Sequence, residues 1–381
     1  MVAECVGAAS LAIWLYLLLA RGKFWQIHSD EPVLNPQTVP ARRVAVIVPA
    51  RDEAATVGKA VSSLLQQDYT GELHTWLVDD HSSDGTADVA RSAAREAGHA
   101  DRFTVIKAAP LQHGWTGKLW ALSEGLKAAP ADVDYYLFTD ADIVHAPGNI
   151  SSLVARAESG SFDLVSSMVK LKCETLSEKL LIPAFTFFFF MLYPPAWVQD
   201  PRRSTAAAAG GCMLIRRQAL ARIGGVAAIR DQLIDDCALA RALKPGGRIT
   251  LAPTSKACSV RGYGDWGEVG RMISRTAFTQ LRYSILILGA VVAGMVFTYL
   301  APPLLLGFGF RPAALGAAAW FLMSVSYLPS LRFNRLSKWW APLLPLVAAF
   351  YLGATVYSAV EYWRGCGGSW KGRHQAASAI T

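Results

Sequence analysis

Four short apolar runs rich in β-branched and aromatic residues, with text of helical character between them, constrain this chain more than any other feature. The runs are residues 44–48, 75–79, 103–107 and 135–139, and the helix-like stretches extend to Leu65, from Thr86 to Ala97 and from Lys118 to Ala128. Continuous apolar strands alternating with helices predict a parallel sheet covered on both faces. The expected fold class is therefore α/β, a doubly wound and mainly parallel sheet, whose ligands sit beyond the carboxyl ends of the strands.

The ends of the chain are of a different kind. Residues 6–20 are nearly free of charge and are followed at once by Arg21 and Lys23. Cations after the apolar run, rather than before it, favour a retained anchor over residues 1–23, with the following chain cytoplasmic. Residues 24–42 hold Pro32, Pro36 and Pro40 and read as a linker. From Ile285 onward the text is membrane-like, and about three further spans are expected within 284–362, with a break at Pro302-Pro303. Arg332, Arg335 and Lys338 suit a cytoplasmic loop, which would put the basic residues of the 363–381 tail outside, against the same charge rule. The apolar stretch 180–198, with Phe187-Phe-Phe-Phe190 and Pro194-Pro195, is expected as a helix in the bilayer interface, because a crossing here would divide the 43–283 domain between two compartments. A multi-pass protein of the inner membrane follows.

The chain is 52% hydrophobic and 17% charged, too apolar for an ordinary soluble enzyme. Its net charge of +8 fits anionic lipid or a phosphorylated substrate, while the lack of dense basic tracts makes nucleic acid the least favoured partner. Six scattered cysteines without a CxxC pair give neither a zinc site nor a redox motif and read as buried thiols.

Candidate chemistry lies at strand ends. Thr139-Asp-Ala-Asp142 closes the fourth run, and Asp140 and Asp142 are placed to share a hard divalent cation, Mg or Mn, although Asp-x-Asp is also ordinary turn chemistry. Val78-Asp-Asp-His-Ser-Ser-Asp-Gly-Thr86 closes the second, where one Asp can receive a base or ribose while Ser83 or Asp84 caps the next helix. Pro49-Ala-Arg-Asp-Glu53 closes the first and has no GxGxxG, which disfavours NAD and FAD. Gly117-Lys118 lacks the rest of a phosphate loop, yet Lys118 is suited to diphosphate as a lone cation. Asp235-Asp236 opens a helix-like segment, where carboxylates can either cap the helix or take a proton as general base.

These motifs together, with Leu64-Leu-Gln-Gln-Asp-Tyr69 and Gly210-Gly-Cys-Met-Leu-Ile-Arg-Arg217, resemble family 2 glycosyltransferases, an inverting group of A-type fold, over about residues 44–283. The text around His113-Gly-Trp-Thr-Gly-Lys118 and the apolar tail look most like the hopanoid-associated subgroup. The resemblance implies that Ala50, Asp52 or Glu53 and Asp80 line a nucleoside pocket. It implies that Asp140 and Asp142 hold the metal, that Asp235 and Lys118 lie at the substrate, and that Asp236 is the catalytic base of an inverting transfer from a nucleotide-sugar donor to a membrane lipid. The family's glutamate-aspartate pair is here Asp235-Asp236. The Gln-x-x-Arg-Trp signature of processive members is degraded to Thr279-Gln-Leu-Arg-Tyr283, which leaves Arg282 as a diphosphate ligand with Arg275 competing, and Tyr283 as a stacking surface. Single transfer is thus expected over the alternatives of a polysaccharide synthase or a non-catalytic scaffold.

Overall fold

Every residue of the strand Val44–Ala50 is buried, and its side chains alternate between two apolar layers, Ala45 and Ile47 in one, Val44, Val46 and Val48 in the other. A strand buried on both faces must lie inside a sheet covered by helices on both sides. The computed structural model describes residues 1–27 and 40–367, with two short strands at Ser369–Trp370 and Arg373–His374. In chain order the elements begin with α1 (Val2–Leu19), β1 (Val44–Ala50), α2 (Ala54–Leu65), β2 (Leu73–Asp79), α3 (Thr86–Glu96), β3 (Phe103–Lys107), α4 (Gly117–Ala128) and β4 (Tyr135–Thr139). There follow β5 (Ile143–His145), α5 (Asn149–Gly160), β6 (Phe162–Lys170), α6 (Leu176–Leu192), α7 (Pro195–Gln199), β7 (Cys212–Arg216), α8 (Arg217–Arg222), α9 (Asp235–Leu243) and β8 (Arg248–Ser259). The chain continues through α10 (Trp266–Gln280), α11 (Ile285–Met295), α12 (Ala301–Leu304), α13 (Phe310–Phe333) and α14 (Leu344–Trp363).

The eight strands form one sheet in the order β3-β2-β1-β4-β7-β6-β8-β5. The expected mainly parallel sheet is corrected to a mixed one. β3, β2, β1 and β4 run parallel, as do β6 and β8, but β7 is antiparallel to both β4 and β6, and β5 to β8. The reason lies in α6 and α7. The chain leaves β6, makes this apolar excursion and returns beside the end of β4, where Cys212 pairs with Thr139, so β7 has to run the other way.

Among the described residues four helices are long and apolar enough to cross a membrane, Val2–Leu19, Ile285–Gly307, Phe310–Phe333 and Lys338–Trp363. The second has a π turn at Val296–Leu300, just before Pro302-Pro303. Pro302 has no N–H to offer the carbonyl four residues back, and the Trp14 indole of α1 donates to that Thr298 carbonyl instead, at 2.8 Å. α6 ties these helices to the sheet domain. Its Leu181 carbonyl accepts from the Tyr351 hydroxyl and its Pro183 carbonyl from Ser330, both at 2.9 Å or less. In the phenylalanine run Phe187 and Phe190 are buried, and Phe187 packs edge-on against Tyr327 and Phe24. Phe24 and Ile27, expected in a linker, are thus part of the core. Pro32 and Pro36 lie outside the described residues. All six cysteines are free, and three of them, Cys5, Cys258 and Cys366, are exposed where buried thiols were expected.

Candidate active site

The loops after β1 and β2 hold each other in place. Asp52 adopts a left-handed backbone (φ 50°), and its carboxylate accepts from the Ser83 N–H at 2.8 Å. The Asp52 N–H donates to Ser82 Oγ, and the Glu53 N–H to Thr86 Oγ1 at 2.7 Å. Asp84 accepts from the Ala54 N–H, which lies across from it at the start of α2. Asp80 is fully buried, and the Arg51 guanidinium donates to its carbonyl at 2.6 Å. Ala50 is buried as well. Of the residues expected around a nucleoside, Glu53 lines the main cavity, whereas Ala50 and Asp80 are buried and do not line it and Asp52 serves the loop pairing.

The loop after β4 is propped from behind. Thr139 Oγ1 donates to the Gly211 carbonyl and sits 2.9 Å from His145 Nε2, and Asn149 stands 2.8 Å from the other ring nitrogen. Burial lowers the His145 pKa to about 4, so the ring is a neutral hydrogen-bonding strut. In front of this support the carboxylates meet two cations. Lys118 Nζ, at the start of α4, is 2.9 Å from Asp140 and 3.4 Å from Asp235. Burial opposes the Lys118 charge, but Asp140 and Asp235 outweigh it and raise the pKa, which keeps the ammonium protonated. Asp142 accepts from Ser259 Oγ at 2.7 Å and from Arg261 Nε at 3.2 Å, and Arg261 also grips Glu53. Burial, then the charge on Asp140, raises the Asp142 pKa.

Asp236, in the first turn of α9, accepts from the Gly210 N–H at 2.8 Å and from the Cys237 N–H at 2.6 Å. Burial and the adjacent Asp235 raise its pKa to about 6 in spite of Lys118 and these two donors. A carboxylate poised near neutrality is suited to accept a proton.

Glu53, Lys118, Asp140, Asp142, Asp235 and Asp236 line one cavity of about 1190 Å³. The same cavity continues between apolar helices, where Ile13, Phe188, Met295 and Tyr299 line it. Arg282 and Tyr283 are not on its wall. Both take positive φ in the turn that ends α10, and Tyr283 stacks on Tyr362 with ring centroids 4.3 Å apart. Arg275 does line the cavity. Arg261 and Ser259 join the site without having been expected, since no local pattern sets them apart and only the sheet brings them there, whereas Gly210 opens the motif 210–217 already noted in the sequence.

Asp140 and Asp142 fit a hard cation in donor type: two carboxylate oxygen donors on one loop, each already drawing a positive group, with Asp142 buried beside the charge of Asp140. Among the described residues no third His, Cys, Asp or Glu joins them as a ready-made cluster. A bound diphosphate would have to complete the shell.

The sheet with its acidic carboxyl edge defines an A-type glycosyltransferase fold. The chain superposes on the mannosyltransferase PcManGT from Pyrobaculum calidifontis, solved in complex with GDP-Man and Mn2+, with a TM-score of 0.58 and 20% identity over 94% of this chain and 99% of that one. Residues 45–224 match the model of glycosyl transferase family 2. It is 32% identical over 110 residues to a beta-monoglucosyldiacylglycerol synthase of Synechocystis sp., covering 29% of this chain and 22% of the relative. It is also 32% identical over 126 residues to an N-acetylglucosaminyltransferase of Rhizobium leguminosarum bv. viciae, covering 33% and 28%. These matches span only about a quarter of the relatives' own length.

Proposed function

We propose that the protein is a membrane-bound inverting glycosyltransferase that moves one sugar from a nucleotide-sugar donor, a UDP-sugar, to the hydroxyl of a membrane lipid on the cytoplasmic face. The observation that carries this reading is the single cavity running from Asp140, Asp142 and Asp236 into the apolar helices. A polar donor and an apolar acceptor can meet in such a space without either leaving its own solvent. The likeness to a synthase named for a glucosyl diacylglycerol supports a lipid acceptor. Within that class, the resemblance of the motifs favours a hopanoid.

In this reading Asp140 and Asp142 hold Mg or Mn, which when bound offsets charge on the departing nucleoside diphosphate. Lys118 and Arg275 contribute further positive charge along the diphosphate. Asp236, held in place by the Gly210 N–H, takes the proton of the acceptor hydroxyl as that oxygen attacks the anomeric carbon and the nucleotide leaves from the opposite side, inverting the centre.

Purified full-length protein in lipid nanodiscs, given radiolabelled nucleotide sugars with and without Mn2+ or Mg2+, should form a product that extracts with lipid and gains one sugar mass. Asp142→Ala should lose metal-dependent donor binding, whereas Asp236→Asn should bind donor and fail in transfer. Long polymeric products would replace this reading with a polysaccharide synthase, and absence of turnover with every donor would favour a scaffold.

A further inference from the structure

Helix α10 lies alongside α14, with Trp266 facing Phe350 at one end (ring centroids 6.1 Å apart) and Phe278 facing Tyr362 at the other (5.5 Å). α10 carries Glu268, Arg271 and Arg275, whereas Glu361 is the one charged residue of α14. Their seam is therefore a boundary between polar and apolar surroundings. Gly270 and Gly353, one on each helix, leave a groove of about 530 Å³ there, walled by Trp266, Phe350 and Tyr357. Trp266 is 42% exposed, so the groove opens outward at an aromatic rim. Arg271 and Tyr357 line both this groove and the main cavity, which makes the two spaces neighbours across a shared wall. Arg271 makes no ion pair among the described residues, and its charge is available to a polar headgroup passing between them.

We propose that this groove is the portal by which the lipid acceptor passes from the bilayer to the carboxylates, an inference that rests on the lipid-acceptor reading above. The apolar body of the lipid lies between Trp266, Phe350 and Tyr357, and Arg271 leads its polar head toward the cavity. A chain with a wet end and a greasy end suits a seam of this composition, since each part keeps a matching environment throughout the passage.

Gly353 gives a clean way to close the groove, because a Cβ placed there meets nothing within 4 Å. Gly289, on α11, is equally open and lines neither space, so it serves as the control. Full-length protein in phosphatidylglycerol nanodiscs is irradiated with a diacylglycerol carrying a diazirine on its acyl chain, and labelled peptides are located by mass spectrometry. Labelling should concentrate on residues 266–271 and 350–357, fall at least about tenfold in Gly353→Phe, as expected when an aromatic ring overfills a site, and stay within about twofold in Gly289→Phe. Labelling spread alike over all four apolar helices, or undiminished in Gly353→Phe, overturns the portal. Transfer measured on the same proteins keeps the two readings apart. A raised acceptor KM with unchanged UDP binding in Gly353→Phe supports the portal, whereas groove labelling in a protein that glycosylates no lipid supports a lipid site and overturns the acceptor reading.

Discussion

Arg261 and Glu53 stand 208 residues apart in the chain, yet Arg261 Nη2 lies 2.6 and 2.5 Å from the two carboxylate oxygens of Glu53. Through Nε the same guanidinium reaches Asp142 at 3.2 Å. One cation thus joins the loop after β1 to the loop after β4, at the edge where a donor and its metal would bind.

Replacing Arg261 by Gln should leave Glu53 and Asp142 facing each other with their repulsion uncompensated. The loss should be about 3 kcal/mol or less, the low end for breaking a buried pair, because the Arg261 side chain is 34% exposed. Thermal unfolding in detergent should show the variant regaining more stability from added Mn2+ than the native protein does. An equal response of both proteins to Mn2+ would show that Arg261 and the metal do not share these carboxylates.

The raised pKa of Asp236 gives a pH dependence with a definite sign. In its proposed role as base it acts only when ionised, so kcat should rise with pH up to about 6 and level off above it. Asp236→Asn should lower kcat by about 10²–10⁴ with donor affinity retained, and any residual rate should lack the acid limb. A limb that persists unchanged in the variant would assign the titration to another group.

At Gly210 a methyl group would be a tight fit. A Cβ there would come 3.2 Å from Lys118 Nζ and 3.3 Å from Asp236 Oδ2, the two groups proposed to act on the diphosphate and the acceptor hydroxyl. Gly210→Ala should fold, since its nearest contacts are with side-chain ends, and should still lose most transfer activity by displacing Asp236 and Lys118. Wild-type kcat in a properly folded variant would remove Gly210 from the site.

Glu178 joins the start of α6 to the segment after β8. It is buried, and its two oxygens accept from the N–H groups of Glu174, Thr175 and Tyr263 at 2.8, 2.9 and 2.6 Å. Gln in its place turns a donor toward a donor, with an expected loss of about 2–3 kcal/mol. Burial pushes the Glu178 pKa up, but these N–H groups prevail and hold it below the ordinary glutamate value. Its contribution is therefore complete above the unfolded pKa of about 4.3 and is lost as pH falls through the lower folded value. The stability difference between native protein and Glu178→Gln, followed by denaturant unfolding from pH 7 to pH 3, should shrink only at the acid end. A constant difference over that range would mean that the carboxylate charge is not what holds the loop.

The strands β1 to β4, the helices between them and the four long apolar helices were legible in the sequence, because each is declared by local periodicity or by unbroken apolar length. The strand and helix ends that bring Asp140, Asp142, Lys118 and Asp236 to one cavity were legible too. β7 running against its neighbours was not legible, since direction depends on which edge the chain returns to after α6. Nor was the position of Arg282 and Tyr283 off the cavity wall, or the arrival of Arg261 and Ser259 beside Asp142. Hydrophobic pattern and short-range spacing specify elements and the residues at their ends. Which ends face one another is decided by packing between segments from about twenty to about two hundred residues apart, and the candidate site is made at such meetings.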